Sequence, residues 1–314
     1  MITSRRQFAK LALAVLPVAK IYAAQNSKLK GVQIGTITYS FGQMPVDQII
    51  PAMVSIGLSE VELMSNHCEA MLGAPAVSFG RGQQTPEQQA TTAQQQQALR
   101  AWRLATTPDT FKPVKQKFTE AGIDLQILCF NQRVDAKDDE IEYAFQMAKA
   151  LGVRAISSSS TVAFARRVAP FAEKHKMIWG GHGHANIFDP EEFAKPETFR
   201  EIMSFGRYIG INLDIGHFTA AGYDPVPFIK ENHARITNLH LKDRKKPVQP
   251  IKDTNTPNLP WGQGDTPIKE VLQLLAQEKY TFPANIELEY MIPQGSDRVA
   301  EVRKCFDYCK AALA

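Results

Sequence analysis

Gly210-Ile211-Asn212-Leu213-Asp214-Ile215, a helical stretch from Val226 to His233, and then Ile236-Thr237-Asn238-Leu239-His240-Leu241 decide the fold of this chain. Two short runs rich in β-branched residues flank one helical segment, the pattern of a parallel strand–helix–strand unit. Within each run, side chains alternate between the two faces of the strand. Asn212 and Asp214 share one face, while Leu213 and Ile215 take the other. Asn238, His240 and Lys242 share a face in the same way, opposite Leu239 and Leu241.

Working outward from this unit, the same alternation recurs along the chain from residue 31. Strands are predicted at 31–38, 60–64, 125–130, 155–158, 177–181, 210–215, 236–241 and 285–290. Helices are predicted at 46–56, about 86–121, 140–151, 162–174, 196–205, 226–233, 267–277 and 298–312. Eight such units make an α/β chain of the (β/α)8 TIM barrel type. No glycine-rich fingerprint follows the first strand, which disfavours a doubly wound dinucleotide-binding sheet. The stretch from Gly80 to Gln97 is rich in glutamine and reads as a solvated loop entering a helix. A second long connection, Lys245 to Pro260, is rich in proline and polar residues. Both follow a strand, and a barrel builds its active site from such loops.

The chain has 314 residues, 36 Lys and Arg against 32 Asp and Glu, and a formal net charge of +4. With 44% hydrophobic and 22% charged residues it has the composition of a globular domain. The small charge gives no support to a nucleic-acid partner, which calls for a concentrated basic stripe. The excess lies in residues 1–24, which hold Arg5, Arg6, Lys10 and Lys20 and no acid. There, Thr3-Ser4-Arg5-Arg6-Gln7-Phe8-Ala9-Lys10 resembles the twin-arginine export motif, and a short apolar run from Leu11 to Ala19 follows. That run is too short to span a bilayer as a helix and contains Pro17. Residues 1–24 are therefore expected to be a twin-arginine signal peptide, cut after Ala23 or Ala24 or retained as an anchor, and residues 25–314 one barrel domain. The resemblance implies the twin-arginine export machinery as a partner and a periplasmic location. Cys68, Cys129, Cys305 and Cys309 show no CxxC spacing, and Cys305 and Cys309 read as two buried thiols on one helix face.

The inward faces of the strands carry the chemistry. Glu60 and Glu62 share a side of the second strand, His182 and His184 follow the fifth, and Glu287 and Glu289 share a side of the eighth. With Asp214 and His240, carboxylates and imidazoles from at least four strands converge on one end of the barrel. Buried charges are costly unless paired or metal-bound. Mixed imidazole and carboxylate donors suit Mn, Zn, Co or Fe as one divalent ion.

The segments Val61-Glu62-Leu63-Met64-Ser65, His182-Gly183-His184-Ala185-Asn186, Leu213-Asp214-Ile215-Gly216-His217, Asn238-Leu239-His240-Leu241-Lys242-Asp243-Arg244, Trp261-Gly262-Gln263-Gly264-Asp265 and Ile286-Glu287-Leu288-Glu289 carry a further signal. Together they resemble the sugar phosphate isomerase/epimerase family of xylose-isomerase-like barrels, over about residues 31–312. The resemblance implies metal ligands at His182, Asp214, His240 and Glu287, with Glu289 as rival for the last place. His182 departs from the family, many of whose members have Glu there as half of a two-carboxylate acid/base pair. The resemblance further implies proton abstraction beside a carbonyl through an enediolate. Glu287 or Glu289 takes the proton, and His182, His217 or Glu62 returns it. His184, Lys242, Arg244 and Trp261 would bind the substrate. Asp243 reads as a structural cap or ion-pair partner, and Asp265 as a helix N-cap with Pro267 just inside. The expected activity is that of a divalent-metal-dependent isomerase or epimerase of a non-phosphorylated sugar or keto-sugar. The alternative is a metal-dependent lyase or dehydratase eliminating from a keto-sugar or 3-keto-glycoside.

Overall fold

The computed structural model describes residues 26–78 and 85–314. Eight parallel strands close into a barrel: β1 (Val32–Ile37), β2 (Glu60–Met64), β3 (Asp124–Cys129), β4 (Ala155–Ser159), β5 (Ile178–His182), β6 (Ile209–Asp214), β7 (Ile236–Leu241) and β8 (Ala284–Ile286). Each pairs with its sequence neighbours, and β1 pairs with both β2 and β8, so no barrel edge is left open. The expected (β/α)8 architecture is thus the observed one. The proposed signal, residues 1–24, lies outside the described residues. Among the described residues no helix is long and apolar enough to cross a membrane.

Alternation along the strands separates two environments. Outward residues such as Val61, Leu63, Ile211, Leu213, Leu239, Leu241 and Ile286 are buried against the helices and form the apolar shell. Inward residues are polar and equally buried: Glu60, Glu62, Ser157, Asn212, Asn238 and Asn285 are fully inaccessible. The barrel axis is therefore packed by hydrogen bonds. At the lower level Asn285 Nδ2 donates to Glu60 Oε2 at 2.8 Å. Gly35 makes room for that carboxyl, because a Cβ there would lie 1.6 Å from Glu60 Oε2.

Among the described residues Glu60 Oε1 has no hydrogen-bond partner. Burial first, and then the Glu62 carboxylate, raise the Glu60 pKa well above the ordinary carboxyl value. A carboxyl with a raised folded-state value contributes its full stability below its unfolded value, and that stability is lost as pH rises through the folded value. Glu60→Gln is neutral at every pH. It is expected to melt at a higher temperature than the native chain in alkaline buffer, with the gap closing as the pH falls. Thermal unfolding from about pH 5 to pH 9 checks this, and a gap independent of pH contradicts it.

Three local expectations are corrected. The helix anticipated over 86–121 is broken into Pro86–Ala105, a 3-10 turn at Pro108–Phe111 and a helix at Lys112–Glu120. Pro108 and Pro113 start the new pieces, since proline fits the first turn of a helix and disrupts its interior. The glutamine tract from Gln88 to Gln97 is helical, not loop. Thr85 caps it, with Gln88 N donating to Thr85 Oγ1 at 3.3 Å and Thr85 N to Gln88 Oε1 at 2.9 Å. This exposed helix is held at its end by Arg103, which donates to both oxygens of buried Glu69 at 2.7 and 2.8 Å. The eighth strand ends at Ile286, so Glu287 and Glu289 lie beyond it. The four cysteines are buried and unpaired, Cys305 and Cys309 on helix Arg298–Ala312.

Candidate metal centre

Register brings the strand ends into one layer. Asp214 pairs with His240 across β6 and β7, and His182 pairs with Asn212 across β5 and β6. Glu287 N donates to Leu241 O at 3.0 Å, which sets Glu287 just above the end of β7. As a result His182, Asp214, His240 and Glu287, all buried, present donor atoms that lie within 4.8 Å of one another. His182 Nε2 is 2.9 Å from His240 Nδ1, and Glu287 Oε2 is 3.0 Å from His240 Nδ1. Asp214 Oδ2 and Glu287 Oε2 lie 3.6 and 3.9 Å from His182 Nε2.

The donor set fits a divalent cation. Ligand bonds of about 2.0–2.2 Å put neighbouring donors roughly 3–3.5 Å apart, close to the separations observed. The network turns one nitrogen of each ring toward the cluster. His240 Nε2 lies 2.6 Å from Glu62 Oε2, so Nδ1 is the nitrogen that faces the other donors. Burial opposes charge on this ring, but Glu62 and Glu287 outweigh it and raise its pKa well above the free imidazole value, so a cation bound at Nδ1 would displace a proton. His182 Nδ1 lies 3.1 Å from Ser159 Oγ, and its Nε2 faces the cluster. Asp214 caps the short helix Ile215–Ala220, its Oδ1 accepting from His217 N at 2.7 Å. Its buried Oδ2 has Lys242 Nζ at 3.0 Å but no hydrogen bond of good geometry.

Lys242 completes the electrostatics. Its ammonium, 1% exposed, lies 3.0 Å from Asp214 Oδ2, 2.9 Å from Glu287 Oε2 and 2.6 Å from Glu289 Oε2. Burial opposes the charge, but the three carboxylates outweigh it and raise the lysine's pKa. Burial likewise acts against ionised Asp214 and Glu287, yet Lys242 holds both well below the carboxylate range, joined by His240 for Glu287. Burial lowers the basicity of His182, which keeps it a neutral donor.

The other expected site residues divide. Glu289 sits at the rim, with Asn258 Nδ2 at 3.4 Å, and its side chain is 23% exposed against 7% for Glu287. His184 is on the open side, its ring 5.0 Å from that of His182 and its Nδ1 3.3 Å from Glu192 Oε1. His217 is clamped: Arg244 Nη1 donates to its Nδ1 at 2.5 Å and Lys242 Nζ lies 3.1 Å from its Nε2. Burial and then Lys242 push its basicity well down, so it is a poor proton carrier and a fixed neutral spacer. Glu62 lies below the reacting layer with no exposure, where Ser157, Asn212, Asn238 and His240 surround its oxygens. It orients His240 and has no route to a substrate proton. Trp261 packs on the last helix, its ring meeting Tyr308 edge-on at 5.8 Å.

The glycine loop 262–264 wraps a carboxylate of the chain itself. Asp243 accepts from Gly262 N and Gly264 N at 2.8 Å each and from Thr266 N at 3.2 Å. A Cβ at Gly264 would lie 2.0 Å from Asp243 Oδ1. Amide groups that a phosphate would use are therefore taken, and Asp243 is the structural cap the sequence indicates. Asp265 is not an N-cap: its carboxylate accepts from Lys246 N at 2.9 Å, and the following helix begins after Pro267 without a side-chain cap. Sequence reasoning missed Tyr39, in the turn after β1. Its phenol is 42% exposed and feels, after burial, the charges of Glu289, Glu287 and Lys242. Its position just past a strand end was the available signal.

Glu62→Gln tests the support beneath His240. Losing the carboxylate behind a metal-binding imidazole costs about 10–100-fold in metal affinity. That loss, with unfolding temperature nearly unchanged, is the expected result of metal titration; unchanged affinity contradicts it.

Residues 88–310 match the family described as the xylose isomerase-like TIM barrel. The chain belongs to this family. An inosose dehydratase of Mesomycoplasma hyopneumoniae is 28% identical over 120 residues, 34% of this chain and 39% of that protein. The chain thus spans about two-fifths of the length of this curated relative. Among solved structures, a sugar phosphate isomerase/epimerase from Parabacteroides distasonis superposes with a TM-score of 0.57 at 16% identity, over 90% of this chain and 95% of that one. The IOLI protein, solved with a bound zinc atom, superposes with a TM-score of 0.60 at 14% identity, over 90% and 98% of the two chains. These likenesses show the shared barrel of the family; the donor set is a property of this chain's own geometry.

Proposed function

We infer that the protein is a divalent-metal-dependent enzyme that moves a proton beside the carbonyl of a non-phosphorylated sugar or keto-sugar, as an isomerase or epimerase. The observation that carries this reading is the convergence of His182, Asp214, His240 and Glu287 with an extra carboxylate, Glu289, poised beside them. A divalent ion held by the four residues would act as a Lewis acid toward a carbonyl and its adjacent hydroxyl. Glu289, outside that donor set and open to the rim, takes the proton from the carbon next to the carbonyl, and an enediolate results. The Lys242 ammonium, 2.6 Å from Glu289, holds that carboxylate in place and balances the developing negative charge. His184, paired with Glu192 and with its ring 5.0 Å from that of His182, can return a proton there.

A second reading, elimination from a keto-sugar or 3-keto-glycoside, is favoured by His182. A buried imidazole, not a carboxylate, ends strand five, so the residue facing the cluster from that position is not a second carboxylate to mirror Glu289. The same first proton removal then ends in loss of a leaving group. Incubation with ketoses and 3-keto-glycosides in D₂O separates the two. Deuterium uptake with an intact carbon skeleton supports isomerisation or epimerisation, and release of water or an aglycone supports elimination. We further propose export by the twin-arginine route to the periplasm. The reading is supported by Arg5-Arg6 before an apolar run, and by a glycine loop, 262–264, whose amides are taken by Asp243 and so are not offered to a phosphorylated sugar. Cell fractionation tests it.

A further inference from the structure

Beside the metal centre, above the ends of β3, β4 and β5, lies a cavity of about 560 Å³ lined in part by Arg133, Val134, Ser159, His184, Asp189 and Glu192. It includes none of the four metal-ligand residues, yet it shares a wall with them. Ser159 Oγ is 3.1 Å from His182 Nδ1, and the His184 ring is 5.0 Å from the His182 ring. A molecule reacting at the cluster and filling this space extends past the reacting ring. The volume lies within the roughly 300–1,000 Å³ of small-molecule sites.

The lining states what that extension is made of. Asp135, Asp189, Glu191 and Glu192 face one arginine, Arg133, so an anionic group is disfavoured. Three of the carboxylates have partners that fix the loop: Glu191 Oε2 accepts from Ala163 N at 2.8 Å, Asp189 Oδ1 from Glu191 N at 2.9 Å, and Glu192 Oε1 lies 3.3 Å from His184 Nδ1. Asp135 and the Arg133 guanidinium have no hydrogen bond or ion pair among the described residues, and so an acceptor and a donor are free at the mouth. Paired with free acceptors and donors, an uncharged ring bearing hydroxyls is the chemical match.

We propose that this cavity is a subsite for a second, uncharged sugar ring, so that the substrate is a keto-sugar in glycosidic linkage rather than a free or phosphorylated monosaccharide. The proposal rests on the enolising function above and names its substrate class. Remote binding of this kind is realised as faster reaction at the first ring.

The test compares D-fructose, lactulose (a ketose bearing a second sugar ring) and fructose 6-phosphate in D₂O, with metal-loaded native protein and Val134→Trp. Val134 lines the cavity, is 51% exposed and is not one of the four donor residues, so the larger ring is aimed at the subsite and not at the metal centre. The native protein is expected to exchange lactulose with kcat/KM about tenfold or more above fructose, and fructose 6-phosphate below both. Val134→Trp is expected to abolish the lactulose advantage while fructose exchange stays within about twofold. Equal exchange of fructose and lactulose, a preference that Trp leaves intact, or fructose 6-phosphate as the best substrate overturns the subsite and leaves the enolising function standing. No exchange with any of the three overturns that function, and the subsite falls with it.

Discussion

Asp214→Asn is expected to leave the barrel folded and to empty it of metal. Asparagine keeps an oxygen for the cap to His217 N, now at 2.7 Å, so the short helix after β6 retains its start. What changes is the other arm. Oδ2, buried among His182 Nε2, Lys242 Nζ and the remaining donors, becomes an amide that offers hydrogens in place of a lone pair and carries no charge. The loss should exceed the about 10–100-fold typical of residues behind a ligand, and deuterium exchange into substrate should fall to background with it. Circular dichroism should match that of the native chain. Full metal content in the purified variant would contradict the assignment of Asp214 as a ligand. His240→Ala should lose metal as well, but it strands Glu62 without its imidazole partner, and a buried acceptor left unpaired costs about 1–3 kcal/mol. The aspartate variant is therefore the cleaner experiment.

Glu289→Gln and Glu287→Gln are expected to part company. Glu287 Oε2 is 3.0 Å from His240 Nδ1 inside the donor cluster, so its amide variant should lose metal and activity together. Glu289 lies outside the cluster and bonds Lys242 Nζ at 2.6 Å. Its variant should keep about the native metal content and slow α-proton exchange by about 10²–10⁴-fold, the usual contribution of a general base. Metal retained by Glu287→Gln and lost by Glu289→Gln would reverse the two roles.

Much of this was legible in the chain before its fold was known. The period-2 alternation around Asn212, Asp214, Asn238 and His240 is strong because each polar inward residue is flanked by aliphatic ones that the helices cover. The same alternation brought carboxylates and imidazoles from at least four strands to one end of the barrel, since parallel register carries strand ends to the same height; the resemblance, not the alternation, singled out His182, Asp214, His240 and Glu287. It was less informative about height within the barrel. Glu62 and Glu287 both face the axis, but only the register shift between Val61 and Glu62 and the surrounding Ser157 and Asn238 show that Glu62 sits beneath His240. Loops were harder still. Trp261 and Asp265 carry strong local signals, yet their partners, Tyr308 and Lys246, come from loop and helix packing that no periodicity encodes. His217 shows the limit for single residues: an imidazole near a strand end reads as an acid or base until Lys242 and Arg244 are seen on its two nitrogens.

A metal that serves proton transfer underlies the proposed activity. Its most direct test is the metal content of the purified protein, followed by deuterium uptake into a ketose or keto-glycoside before and after chelation. The account predicts about one divalent ion per chain, uptake at the carbon beside the carbonyl, loss of that uptake on chelation and its return when Mn, Zn, Co or Fe is restored. A chain that is metal-free as purified and exchanges deuterium at the same rate with and without chelator would contradict it.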